Sequence, residues 1–326
     1  MKHALYIIMC MCLMLLASCT QEKKKGKVIG KVQSAPYELL VVADKEWLKT
    51  DAGQSLVNMT ETPIEGIPQP EPNFRATYIY PHAFSGTFRG YANIIVVNVG
   101  KKYKEARLGR ASNVYAQPQV VLSLEAPDDK SFAELVMAHR ESILEAFNAN
   151  EFKRERAFLK KKHSGVVSSQ VQKQFGVDIQ APVDVDDIKK GKDFMWASAS
   201  EQEFRLNVCV YTLPLREMTA EKLVEARDSV MKINIPGGRE GQWMETDRRS
   251  VLSGSVTVDG KDLMAVRGFW DMKDDAMGGP FVCYVYPDEK RQRLLIAEGF
   301  VFAPNEKKRP LIRQLEATLQ TINLQP

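Results

Sequence analysis

The chain has 326 residues, of which 44% are hydrophobic and 26% charged, proportions ordinary for a globular protein able to bury a sizeable core. Its formal charge of +4 is too mild to mark a nucleic-acid partner, and its length suits two domains more naturally than one.

The first segment is a leader. Met1-Lys2-His3 is followed by an apolar run from Ala4 to Leu16, shorter than the about 20 residues a membrane-crossing helix needs. A basic start, a short apolar stretch and small residues at its end make residues 1–18 a secretory signal peptide. Its ending, Leu16-Ala17-Ser18-Cys19, resembles the bacterial lipobox. That resemblance implies cleavage before Cys19 and a thioether-linked diacylglycerol on its sulfur, so that the membrane is a partner through lipid. Two acyl chains, at about 0.8 kcal/mol per buried methylene, anchor a protein without any spanning helix. Residues 19–35 are polar and rich in lysine without apolar periodicity, and read as a lipidated flexible tether; its about 16 residues beyond the cysteine would span roughly 20 Å as a coil. Its lysines are solvated or lie against acidic headgroups.

The folded part is expected as two units, 36–165 and 166–326. The first opens on the strand-length apolar run "YELLVVA", followed by a helix over Trp47, Leu48 and Leu56 that Asp44 would cap. A proline-rich loop leads to three more strands, "FRATYIY", "NIIVVNV" and "QVVLSLEA". A long helix or broken pair comes next, with a capping box at Ser131 and Glu134, and Phe132, Val136, Ile143 and Phe147 at helical spacing. Asn148 to Asn150 offer a break, and Gly165 a stop. In the second unit, "DFMWASA" and "FRLNVCVYT" pair as strands. An amphipathic helix follows, presenting Leu223, Ala226, Val230 and Ile233, then a meander with a hairpin at Asp259-Gly260, and a closing helix through Leu311, Leu315, Leu319 and Ile322. Strands then helix, twice over, imply an α+β fold of two antiparallel sheet-plus-helix units, candidate pseudo-repeats.

Motifs for chemistry are mostly missing. His82, His139 and His163 lack clustered ligands, so no metal and no cofactor is expected. "GSVTVDGK" has one residue too many for a P-loop and Asp262 where a magnesium-binding hydroxyl belongs. "DVDDIKKGKD" places Ile188 and Lys189 where a calcium loop needs an oxygen ligand and a glycine, and reads as a solvated loop. Ser229 and Lys232 form an SxxK pair, the basis for an alternative reading as an envelope hydrolase, although the partner motifs of that chemistry are absent. A lipid or glycan carrier with a cavity between sheet and helices is a further alternative. "HAFSGTFRGYANI", with Phe88, Arg89 and Tyr91, and "GFWDMKDDAMGGPF", with Trp270, have the aromatic, glycine and arginine composition of recognition loops; the other reading is turns whose aromatics cap the core. With Cys10 and Cys12 in the leader and Cys19 lipidated, Cys209 and Cys283 remain as two buried thiols or a disulfide, if their Cβ atoms meet.

The lipobox, "YANIIVVNV", "NVYAQPQVVLSLEAPDD" and "QFGVDIQAPVDV" before "DFMWASA" together resemble an uncharacterised family of Bacteroidetes lipoproteins, a domain of unknown function. The second half is also faintly similar to the PsbP/Mog1 type of α+β sandwich, whose members are mostly binding or assembly factors. The first resemblance carries no active site over to this chain. It implies a location in the cell envelope, and the lysines after Glu22, in place of the acidic patch of surface-exported relatives, favour the outer membrane facing the periplasm. The expectation is a non-enzymatic binding or assembly module for an envelope protein or glycan, with no nucleic acid.

Overall fold

The computed structural model describes residues 29–199 and 205–324. The described residues open on β1 (Gly30–Lys31) and β2 (Glu38–Val42), then α1 (Asp51–Thr60) and β3 (Arg75–Ile79). After β4 (Asn93–Val99), β5 (Arg107–Ser112), β6 (Ala116–Gln117) and β7 (Val120–Ala126) comes the long α2 (Asp129–Leu159). The second unit runs α3 (Gly165–Phe175), β8 (Val185–Gly191), β9 (Phe194–Ala199), β10 (Arg205–Pro214) and α4 (Ala220–Asn234). Four long strands follow, β11 (Met244–Val258), β12 (Lys261–Met272), β13 (Gly278–Asp288) and β14 (Arg293–Phe302), before α5 (Arg309–Leu319).

The α+β class holds, and the seven-stranded second sheet, in order β11-β12-β13-β14-β10-β9-β8, is antiparallel throughout. The first sheet differs from the expected direction. In its order β3-β2-β4-β7-β5, β2 pairs in parallel with β3 and β4, and β4 in parallel with β7; only edge strand β5 is antiparallel. The two units therefore have different topologies and are not copies of one another. Leu39 to Val42 are buried on both faces of that sheet, which suits the continuous apolar runs of parallel strands.

α1 and α2 cover one face of the first sheet, where Leu56, Phe132, Val136, Ile143 and Phe147 meet Leu39, Val41, Ile95 and Leu122. Among the described residues the other face has no α-helix. Leu40, Val42, Ile79 and Ile94 are covered by Phe84, Phe88, Tyr91 and Tyr115, from the loop between β3 and β4 and the approach to β6. The second sheet is sandwiched between α3 with α5 on one side and α4 on the other.

Local details revise several expectations. Asp44 caps a single 3-10 turn, accepting from the Glu46 and Trp47 amides, and Thr50 caps α1. α2 is capped by Asp128, not Ser131, and runs unbroken through Asn148 and Asn150 because Asn150 donates to the Ala92 carbonyl and Asn93 Oδ1. Gly165 opens α3 behind the N-cap Ser164 instead of ending α2. The acidic stretch at 185–191 is edge strand β8, whose charges keep a sheet edge from pairing with other chains. On α4 the buried face is Leu223, Val224, Arg227 and Met231, and Ile233 is 80% exposed.

The units are joined by more than their linker. Ile64 and Ile67, from the proline-rich loop after α1, pack in the second unit's core. Glu71 Oε1 accepts from the Lys308 and Arg309 amides at the start of α5, and Arg313 Nη2 donates to Asn73 Oδ1 at 2.6 Å.

Candidate functional site

Of the residues singled out for recognition, Phe88, Arg89 and Tyr91 fall together on the loop that roofs the helix-free face of the first sheet. Pro81–Ala83 and Gly86–Gly90 form short 3-10 turns there. Phe84 and Tyr115 meet edge to face at 5.5 Å, with planes at 87°. The exposed guanidinium of Arg89 lies over both rings, 5.7 Å from the Phe84 centroid and 5.1 Å from that of Tyr115. Phe88 and Tyr91 lie alongside, half-buried, 6.4 Å apart. The result is a cation held on an aromatic floor, where cation–π contact fixes its position.

The loop is pinned from beneath. Gln119 Nε2 donates to the carbonyls of Arg89 and Tyr91 at 2.8 and 2.7 Å, while its Oε1 accepts from the Tyr115 amide at 2.9 Å. One buried amide side chain thus ties both halves of the platform together. Sequence reasoning missed Phe84 as a floor residue, and missed Tyr115 and Gln119 altogether. Tyr115 stands 26 positions after Arg89, and only the pairing of β4 with β7 brings the two together. The end of the tether passes this same spot: β1 pairs with β6, and the amide of Gln33 donates to the Gly90 carbonyl at 2.9 Å.

Trp270 is a correction. It is 1% exposed, donates from Nε1 to the Val301 carbonyl and packs edge-on against Phe300 at 5.5 Å, so it completes the core beneath a glycine turn and presents no surface for a partner. Cys209 and Cys283 are free and buried, which removes the disulfide alternative. Both pair with Glu298, on opposite sides of β14; at about 4.8 Å per strand they lie about 10 Å apart, beyond the about 7 Å between Cα atoms that a disulfide can bridge. Burial pushes both thiols well above their ordinary range. Cys19 lies outside the described residues.

Ser229 and Lys232 form no catalytic pair. Ser229 is exposed and donates to the Glu225 carbonyl of its own helix, and Lys232 Nζ sits 4.0 Å from the centroid of Trp243. Among the described residues no group of His, Cys, Asp and Glu is placed to hold a metal ion. No helix among them is long and apolar enough to cross a membrane.

A cleft of about 1040 Å³ separates the C-terminal half of α2 from the β11–β12 hairpin and the residues after α5. Arg156 bridges it, donating from Nη2 to both oxygens of Asp259 at 2.7 and 2.9 Å. Lys153, Lys160, Ser255 and Thr257 line it, and the Thr257 hydroxyl donates to Asp262 Oδ1 within the β11–β12 hairpin.

Residues 33–160 match one domain of unknown function (DUF8532) and residues 164–321 match another (DUF4837). No curated protein matches the chain.

Proposed function

We propose that this chain is a membrane-anchored lipoprotein of the cell envelope, held by lipid at Cys19, most naturally in the outer membrane facing the periplasm. Its role is that of a non-enzymatic module that binds an envelope protein or glycan through the platform around Arg89. The observation that carries this reading is the platform: a solvent-facing guanidinium on two crossed aromatic rings, braced by a buried glutamine. Arginine and aromatic residues on a rigid base are the composition of binding hot spots. The tether's end beside the platform favours a partner close to the membrane surface, within reach of a short lipidated linker.

The test is photo-cross-linking from position 88 in the native envelope, with the lipidated protein. Arg89→Ala is expected to remove the specific cross-linked product while leaving the melting temperature within about 2 °C, as for a surface change away from core features. Ser229→Ala should leave that product in place. Cys19→Ser should release the protein from the membrane fraction. Identical products from the parent protein and Arg89→Ala would overturn the platform reading, and retention of Cys19→Ser in the membrane would overturn the anchor.

A further inference from the structure

The seven-stranded sheet ends in two edges of opposite character. At one end, β8 carries Asp186, Asp187, Lys189 and Lys190, charges of the kind that guard an edge. At the other, β11 runs from Leu252 through Ser253, Gly254, Ser255, Val256 and Thr257 to Val258 without a charge or a proline. Among the described residues no strand, isolated bridge or backbone hydrogen bond from elsewhere reaches its outer side over this stretch. Ser253, Gly254 and Ser255 are exposed, as is Leu252 at 44%. The cleft that separates α2 from the hairpin adjoins Ser255, Val256 and Thr257, so the space beside that edge is open.

The hairpin turn sets which backbone groups face outward. Val258 pairs with Lys261 across the two residues Asp259 and Gly260, and in such a hairpin the flanking pair exchanges both hydrogen bonds. Bonded and non-bonded pairs then alternate along the ladder, so Val258, Val256, Gly254 and Leu252 bond inward to β12. Ser253, Ser255 and Thr257 turn their N–H and C=O groups outward. Upstream, the ladder shifts register between Asp247 and Leu252. Ser250 Oγ closes that irregularity, accepting from the Phe269 amide at 2.7 Å and donating to the Asp247 carbonyl at 2.6 Å. The free edge is thus a bounded segment between a built bulge and a tight turn.

We propose that this edge pairs with the same edge of a second copy of the chain, antiparallel about a two-fold axis at Gly254. The sequence is self-complementary about that residue. Ser253 falls opposite Ser255 of the second copy, each with its backbone groups turned outward. Leu252 falls opposite Val256 of the second copy, on the face where Val256 packs against the core. Hydroxyl meets hydroxyl and apolar meets apolar, the cross-strand pairs that stabilise a sheet. The antiparallel sense also sets Arg248 and Arg249, exposed beyond one end, toward the hairpin end and the exposed Asp259 of the other copy. A parallel alignment would instead bring the arginines of both copies together. The segment is short, so the contact belongs to the weak class of interfaces that bury less than about 1,200 Å².

Gly254 supplies the test, because its φ is not positive and a β-carbon there would meet nothing within 4 Å. Across the axis, Gly254 faces its own copy in a non-hydrogen-bonded pair, with Cα atoms about 4.5 Å apart, within the range of a disulfide. Mild oxidation of the full-length lipidated Gly254→Cys protein in detergent should therefore give a disulfide-linked dimer. Lys189→Cys, on the guarded edge, should stay unlinked, and the buried thiols of Cys209 and Cys283 do not compete. Gly254→Lys sets like charges opposite one another and should dimerise about fivefold more weakly in sedimentation. Its melting temperature should stay within about 2 °C of the parent. An unlinked Gly254→Cys, equal linking from position 189, or an undiminished dimer in Gly254→Lys would each overturn the proposal. So would capture of a different envelope protein by Gly254→Cys in membranes in place of a second copy.

Discussion

Glu316 is fully buried on α5 and holds two guanidiniums at once. Arg267, from β12, donates to Oε1 from Nε and Nη2 at 2.9 and 2.6 Å, and Arg313, one turn back on the same helix, donates to Oε2 at 2.7 Å. Burial alone would push this carboxyl up, but Arg313 and Arg267 together outweigh it and hold the pKa below the ordinary glutamate value. A carboxylate depressed in the folded state adds stability that is present above its unfolded pKa, about 4.3, and is lost as pH falls through the folded value. Glu316→Gln strands the buried Arg313 guanidinium and the half-buried one of Arg267, and should lower stability by about 3–5 kcal/mol at neutral pH. The difference from the parent protein should shrink on acidification, as urea unfolding at pH 7 and pH 4 would measure. An unchanged difference at the two pH values would contradict the ion triad. Glu298 has the opposite sign: burial outweighs the Arg227 pair and pushes its carboxyl up, so its ionised form opposes folding as pH rises.

At the scale of elements, the loop between β3 and β4 does the work of a crossover helix with short 3-10 turns, and depends on Gln119 for its shape. Gln119→Ala would leave the carbonyls of Arg89 and Tyr91 and the amide of Tyr115 without their partner. The expected loss is about 1–3 kcal/mol, with faster amide exchange at 84–91 and unchanged protection in α2; uniform loss of protection would show that the loop is not a separate unit. That substitution for a helix also explains why the first sheet's direction was hidden. A parallel sheet advertises itself by strands alternating with helical periodicity, and between β3 and β4 the aromatic and glycine pattern gives none. The second sheet was easier to read. Asp259 and Gly260 have φ 49° and 80°, the two positive values of the hairpin turn that their identities suggest, and the alternation through Phe204 to Tyr211 points to a strand in an antiparallel sheet. On α4, periodicity failed because Arg227 lies at the centre of the buried face, paired with Glu298 at 2.8 Å. A reading by hydrophobicity rotates the helix away from that arginine and toward Ile233. The candidate site was half legible for a related reason: composition marked Phe88, Arg89 and Tyr91, but the floor beneath Arg89 is completed by Tyr115, which only the sheet brings near. Trp270 has the same kind of flanking glycines and is buried.

At the scale of the molecule, the second unit's core is not made by the second unit alone. Ile64 and Ile67 are both buried within it, and Gly66 between them has φ +75°, with Arg267 Cβ only 3.0 Å from where a β-carbon would stand. A side chain at position 66 would be both strained and crowded against a residue of the Glu316 triad, so the loop can enter the second unit only with glycine there. Glu71 then caps the start of α5, and Asn73 takes Arg313. Apolar burial, a helix cap and a buried ion cluster thus cross the seam together, which argues for one cooperative body in spite of two different sheets. Calorimetry of the parent protein should show a single transition with equal calorimetric and van't Hoff enthalpies. Ile64→Ala with Ile67→Ala removes the apolar part alone, at about 2–5 kcal/mol for each large-to-small change. It should lower the melting temperature and, by weakening the seam more than either sheet, separate the transition into two. The Arg156–Asp259 bridge across the cleft is exposed on the Asp259 side and worth at most about 1 kcal/mol. Arg156→Ala should therefore leave the transition single, and a split there would move the coupling from the loop to the cleft.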